Sequence, residues 1–194
     1  MTPHPASISD VTIPANFERL LQEKGLPGAL RALNATTPYR LTGVYRFEEG
    51  LVRSVVLFDR KNPELTVGVD VPWNDSYCRL VAEDGHRCEI ADSLSDVRLR
   101  SHAAREAVQA YVAVLLKTPD GAPLGTLCHY DLQPIEPPAD IFDALDRVAP
   151  VIERSLWGLL NLAHIPEAER TRVRAVGAAP TRLLQFRPVR RQRG

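Results

Sequence analysis

The chain has 194 residues, 44% hydrophobic and 25% charged, with Lys+Arg and Asp+Glu equal at 24 each. That length can bury a core without disulfides or metals, and the composition excludes a wholly disordered chain, a collagen and a coiled-coil rod. The equal charges hide a split, because residues 170–194 hold eight Arg and no acidic residue, which leaves the remainder acidic. Lys is scarce beside Arg, Ala and Pro, a bias frequent in GC-rich bacterial genomes. The longest stretch free of Asp, Glu, Lys and Arg spans 155–166, shorter than the about 20 residues of a membrane helix. Residues 1–10 show neither a basic n-region nor an apolar h-region, so the expectation is a cytoplasmic protein without membrane contact. Cys78, Cys88 and Cys128 are odd in number and form no CxxC, which argues against a disulfide framework.

Residues 1–13 read as a flexible N-terminal arm, 14–163 as one folded domain with flanking helices, and 164–194 as a basic Arg-rich tail. Pro14 suits a first helical turn, and Phe17, Leu20 and Leu21 follow at helical spacing up to Gly25. Leu26, Ala29, Leu30 and Leu33 form a second short stripe. The pattern then turns to period two over Tyr39–Phe47, and Leu51–Asp59 is apolar on both faces at its middle, as a central strand is. Leu65, Val67, Val69 and Val71 alternate and predict a third, half-buried strand. Asn74 or Asp75 is expected to cap a helix closed near Gly85. A short strand over 87–91 follows, then a polar loop and a short helix from Ser101 through Val108. Ala110–Lys117 and Pro123–Asp131 form a hairpin around Pro119-Asp120-Gly121. Asp140 is expected to cap a long helix, kinked or split at Pro150. This order makes an α+β fold with helices set apart from an antiparallel sheet.

Four segments resemble a GAF domain: ALRALNATTPYRLTGVYRFEEG (29–50), SYCRLV (76–81), IADSLSDVRLRSHAAREAVQAYVAVLL (90–116) and DGAPLGTLCHYD (120–131). The resemblance implies a six-stranded antiparallel sheet with terminal helices on one face and a small-molecule pocket on the other. It also implies a non-catalytic, signalling module that commonly dimerises through its terminal helices. Fold alone does not name the ligand, so the cofactor stays unknown.

The residues narrow the choices. Cys78 and Cys88 stand ten apart, a spacing similar to that in the free methionine-R-sulfoxide reductases, an enzymatic GAF family and the alternative reading here. That family's further cysteine motif has no counterpart at Leu99–Glu106. A Cys/His metal site from Cys78, His86, Cys88 and Cys128 or His129 lacks zinc-ligand spacing, and Cys128 and His129 point to opposite faces of their strand. Bilin and cyclic-nucleotide signatures are missing; His86, His102 or His129 leave haem open. The polar run Asp92, Asp96, Arg98, His102 and Arg105 falls where a pocket lid is expected, with cationic groups suited to an anion. The expected ligand-binding set is therefore Tyr77, Asp92, Arg98, His102 and Tyr111, with no catalytic and no metal-binding residue. A pure interaction module with a filled pocket is the third reading. The Arg-rich tail suits an acidic partner or nucleic acid. Apolar residues off the main stripe of the last helix, Val151, Trp157 and Leu159, point to a homodimer.

Overall fold

The computed structural model describes residues 17–164; the expected arm and basic tail lie outside the described residues. The elements are α1 (Phe17–Asn34), β1 (Leu41–Glu48), β2 (Leu51–Asp59), β3 (Val71–Pro72), α2 (Cys78–Asp84), β4 (Arg87–Ile90), β5 (Ala110–Lys117), β6 (Pro123–Asp131) and α3 (Ile141–His164). The strands form one six-stranded antiparallel sheet in the order β3-β2-β1-β6-β5-β4. The expected α+β class and six-stranded sheet are both present. No described helix is long and apolar enough to cross a membrane.

Register divides the central strands into two faces. Thr42, Val44, Val112, Val114, Leu127 and His129 share one face through the pairs Thr42↔His129, Val44↔Leu127, Val112↔His129 and Val114↔Leu127. α1 covers this face with Ala29, Leu30 and Leu33, and α3 covers it with Ile141, Leu145, Val148 and Ile152, all buried. Each such Leu or Ile contributes roughly 1.5–3 kcal/mol by leaving water. Polar contacts fix the helices in place: Glu153 accepts the Lys117 amide at 2.8 Å, and the Arg87 guanidinium lies 4.8 Å from the Phe142 ring centroid. Gly25, at φ 68°, breaks α1 into the two expected stripes. The close approach of β6 to β1 needs a glycine, since a Cβ on Gly125 would lie 2.0 Å from the Tyr45 carbonyl oxygen.

A buried polar chain runs beneath α1. Asn34 Nδ2 donates to Thr42 Oγ1 at 2.8 Å and to the Tyr39 carbonyl at 3.0 Å. Thr42 Oγ1 lies 2.7 Å from His129 Nδ1. The neutral ring carries its proton on Nε2 if the threonine hydroxyl donates to Nδ1 and on Nδ1 if the hydroxyl accepts. His129 Nε2 and Tyr39 Oη are buried without a hydrogen-bond partner, and the two rings stack with centroids 5.9 Å apart. At the sheet end, Arg40 grips Asp59 through Nε (2.7 Å) and Nη2 (2.6 Å), and the Arg40 amide donates to Asp131. The Arg40 hydrogen bond holds the Asp59 carboxyl below its usual range.

Four local expectations are corrected. The alternating 65–71 segment pairs as a strand only at Val71–Pro72. One backbone bond remains, from the Leu57 amide to the Thr66 carbonyl at 2.9 Å; beyond it Ser54 Oγ accepts the Gly68 amide and Asp70 accepts the Ser54 amide, so side chains take ladder positions, and Val69 is 79% exposed. Asn74 and Asp75 sit in a 3-10 turn, and the hydroxyl that meets the start of α2 is that of Ser76, accepting the Cys78 amide at 3.2 Å. Residues 101–108 form a run of turns, not a helix. α3 continues through Pro150; Pro150 and Asp146 are exposed, so water can reach the carbonyl that loses its N–H partner.

Burial, then the nearby Arg60 charge, pushes the pKa of His129 down to about 3. The unfolded ring titrates near 6.5. The contribution of His129 is therefore complete above pH 6.5 and is lost as pH falls toward 3. Denaturant titrations between pH 7 and 4 are expected to show stability falling with a slope approaching about 1.4 kcal/mol per pH unit from this residue. His129→Gln should flatten that slope, and NMR of the wild-type protein should show the His129 ring untitrated at pH 5. A His129 ring that titrates near 6.5 in the folded protein contradicts this.

Candidate functional site

The second face carries Gly43, Tyr45, Tyr111, Ala113, Leu115, Thr126, Cys128 and Tyr130 by the same register. Over it lie α2 and the loop between β4 and β5, which bring in Tyr77, Cys78, Val81, Leu99, Ala104 and Val108. This face differs from the helix-covered one in chemistry, because hydroxyl and thiol groups line it. Tyr111 Oη and Thr126 Oγ1 donate to Cys78 Sγ at 3.3 and 3.1 Å. Tyr45 Oη meets Tyr130 Oη at 3.0 Å, and the Tyr45 ring folds back over Gly43, where a Cβ would come within 2.6 Å of it. Cys128 Sγ donates to the Gly43 carbonyl at 3.5 Å.

Burial raises the Tyr45 and Tyr111 hydroxyls and the Cys128 thiol well above their ordinary values. It also pushes the Cys88 thiol up to about 12. At neutral pH these groups are protonated, so they offer hydrogen bonds and not nucleophiles. The three cysteines are free and buried. Among the described residues, no group of three or more His, Cys, Asp or Glu could hold a metal ion.

Of the five residues expected to bind ligand, three come together. The Tyr77 ring packs on His102 with centroids 4.5 Å apart and on Tyr111 at 5.5 Å, and Tyr77 Oη donates to the Val108 carbonyl. Arg98 is placed elsewhere: its exposed guanidinium pairs with Asp96 at 2.6 Å and donates to the Glu89 carbonyl. Asp92 accepts the Leu94 amide in a tight turn of the loop and contacts none of the other four in its hydrogen bonding. The short helix expected from Ser101 does not form, so it contributes no helix start to the site. Sequence reasoning missed Tyr45, Thr126 and Tyr130 as a polar lining, although their register with Tyr111 follows from the β1–β6 and β5–β6 alternation.

The loop closes on itself through one clasp. Ser93 Oγ donates to the Arg105 carbonyl at 2.6 Å, Arg105 Nε returns a bond to the Ser93 carbonyl at 3.1 Å, and Arg105 Nη2 reaches the Leu94 carbonyl. Ser93 is fully buried. Elsewhere, a depression of about 150 Å³ lies between the Pro27–Arg31 stretch of α1 and Phe58 and Pro63, away from this cluster. Removing the two Arg105 side-chain bonds forfeits about 1–3 kcal/mol of loop closure, or about fivefold to 150-fold in the open population. Arg105→Ala is therefore expected to raise the alkylation rate of Cys78, followed by peptide mass spectrometry, by at least about fivefold under native conditions. An unchanged rate would mean that the clasp does not control access.

No protein-family model matches the sequence, and no curated protein sequence does. Solved structures do match. The free methionine-R-sulfoxide reductase of Neisseria meningitidis, in complex with its substrate, is 14% identical, with a TM-score of 0.59 over 79% of this chain and 93% of that one. The GAF domain of an Acinetobacter phosphoenolpyruvate-protein phosphotransferase is 12% identical, with a TM-score of 0.62 over 79% of this chain and 98% of that one. The chromophore-binding domain of a Stigmatella aurantiaca bacteriophytochrome is 16% identical, with a TM-score of 0.55 over 74% of this chain; this chain spans 58% of its length. At such identities the likeness speaks to architecture, and with the strand order above it shows that this chain has the GAF fold.

Proposed function

We propose that the domain is a regulatory binding module that takes a small molecule between the second face of the sheet and the loop above it, without catalysis. The observation that supports this best is the face itself: hydroxyl and thiol groups gathered on a sheet, closed over by the short helix α2 and a loop of turns. Sites on rigid elements under mobile loops are a common arrangement for ligand capture. In this reading Tyr77, His102 and Tyr111 line the ligand space, and Asp92 and Arg98 stand at its rim on the loop. The ligand is a small molecule whose identity the fold leaves open. The setting is a cytoplasmic, bacterial one, and the Arg-rich tail takes an acidic partner or nucleic acid.

Native mass spectrometry of the freshly purified protein is expected to show a species heavier than the 21.5 kDa chain, with the added mass released on denaturation and lost in Tyr111→Leu. Bare chain mass, together with no thermal shift from any member of a metabolite panel, would leave the interaction-module reading in its place.

The reductase reading has one observation in its favour, the two hydroxyls donating to Cys78 Sγ. Its second thiol, Cys88, is held protonated by burial, which disfavours thiol exchange. Thioredoxin-coupled turnover of free methionine-R-sulfoxide, abolished by Cys88→Ser, would establish the enzyme and displace the sensor.

We also propose a homodimer through α1 and α3. On α3, Val151 and Trp157 are half-buried and Leu159 is 48% exposed, a set that a two-fold copy would cover. Light scattering should give twice the 21.5 kDa mass, and Trp157→Ala should weaken association by about 2–3 kcal/mol. A monomer at high micromolar concentration rules the dimer out.

A further inference from the structure

The two ends of the sheet are finished differently. At the β4 end, the Arg98 guanidinium bonds the Glu89 carbonyl at 3.0 Å, so a charged side chain caps that edge. At the other end stands β3, and residues 65–70 lead into it along β2. The Leu57 amide bonds the Thr66 carbonyl, and Val52 pairs with Val71. These two contacts are equally spaced along both chains, so the stretch keeps one antiparallel register. In such a register the N–H and C=O of a residue turn to the same side, and successive residues turn to opposite sides. Thr66 and Gly68 turn to β2, the first through its carbonyl and the second through its amide, which donates to Ser54 Oγ at 2.8 Å. Val67 and Val69 therefore turn their N–H and C=O groups away from β2, and these four groups have no hydrogen-bond partner among the described residues. The side chains of Leu65, Val67 and Val69 are all exposed, and alternation sets them on one face. Exposed edges are ordinarily blunted by Lys, Pro or a bulge. Residues 64–71 hold no Lys, Arg or Pro; Pro63 and Pro72 stand only at the two ends of the stretch.

The charges choose between occupants. Two acids bracket the apolar residues. Glu64 is exposed and forms no ion pair among the described residues, and Asp70 meets Arg53 at 2.7 Å. A second copy that paired all of Leu65, Val67 and Val69 with their own kind would set Glu64 opposite Asp70 twice, and like charges directly opposite are destabilising. A strand with basic residues at those two places gains from both. We propose that the β3 edge is a docking site for an extended strand of a partner protein, with alternating apolar residues between two basic ones, which adds to the sheet through the free backbone groups of Val67 and Val69. The proposal goes beyond the ligand reading and does not depend on whether the second face is occupied.

The test is amide NMR of the full chain with a synthetic heptapeptide, acetyl-Lys-Val-Thr-Val-Thr-Val-Lys-amide. Its valines meet Leu65, Val67 and Val69 in an antiparallel register, and its lysines meet Glu64 and Asp70. At up to about 1 mM peptide, the Val67 and Val69 amide protons are expected to move downfield while the β4 amides stay in place. Methylating the backbone nitrogen of the central valine removes the donor to the Val67 carbonyl and should weaken binding about tenfold. Exchanging both lysines for glutamate should weaken it by a similar factor, because two favourable cross-strand pairs become unfavourable. Val67→Pro removes an outward N–H at an edge position where proline is tolerated, and should abolish the shift at Val69 while the β1 and β5 amides keep their positions; the methylated peptide reads the same point on the unaltered protein. No shift at Val67 and Val69 overturns the proposal. Equal binding of the methylated peptide also overturns it, since contact without backbone pairing is not strand addition. Val67 and Val69 amides that move when the protein alone is concentrated would assign the edge to a second copy and contradict the partner strand.

Discussion

β6 passes so close to β1 at Gly125 that no side chain fits between them, and the arrangement of the whole domain depends on that contact. A Cβ at Gly125 would sit 2.0 Å from the Tyr45 carbonyl oxygen, far inside any real contact distance. The approach lets β6 pair along its length with β1 on one side and β5 on the other. Strand alternation then sends Leu127 and His129 to the helices and Thr126, Cys128 and Tyr130 to the loop side. The same short strand thus supplies the core of one face and the polar lining of the other. The register is firm because a slip of one residue would exchange the two sets.

The two faces are closed by different means. On the helix side, α1 and α3 bury long aliphatic side chains, and the enclosed polar chain from Asn34 to His129 is held by hydrogen bonds of 2.7–2.8 Å. On the other side, α2 has only seven residues, and the rest of the cover is turns pinned by the Ser93–Arg105 clasp. Within the loop 93–108, Leu99 is the large apolar side chain that is fully buried, beside a few hydrogen bonds worth about 1 kcal/mol each, whereas α1 and α3 are each held by several buried side chains worth more than that apiece. Local opening draws on the weakest-held part of a fold. This difference between a helix-clamped face and a loop-covered one is the physical basis of the binding role proposed above.

Much of the fold was legible because its signals are local and repetitive. The alternation of Tyr39–Phe47, the two-sided apolar run of Leu51–Asp59 and the turn at Asp120-Gly121 each name an element without reference to the rest of the chain. The misreadings share a cause. Leu65, Val67 and Val69 alternate as a strand would, yet Ser54 and Asp70 side chains take hydrogen bonds that a ladder needs. Residues 101–108 have helical composition, but the Arg105 carbonyl is claimed by Ser93, twelve residues away, and His102 bonds locally to the Ala104 amide. In both segments a side chain elsewhere competes for the backbone, which a local pattern does not reveal. The site was half legible for the same reason. Tyr77, His102 and Tyr111 could be placed on facing elements, but Arg98 was drawn outward by Asp96, its neighbour two residues away.

The central claim is that the cover over the second face opens while the sheet and the opposite helices stay closed. Hydrogen–deuterium exchange of the full chain, read by peptide mass spectrometry at neutral pH, measures this directly. The amides of residues 93–108 are expected to exchange by local opening, orders of magnitude faster than those of β1, β5 and β6, and to do so without dependence on low denaturant. Exchange of 93–108 at the rate of the central strands, rising with denaturant in step with global unfolding, would show that the cover is part of the core and would contradict the account.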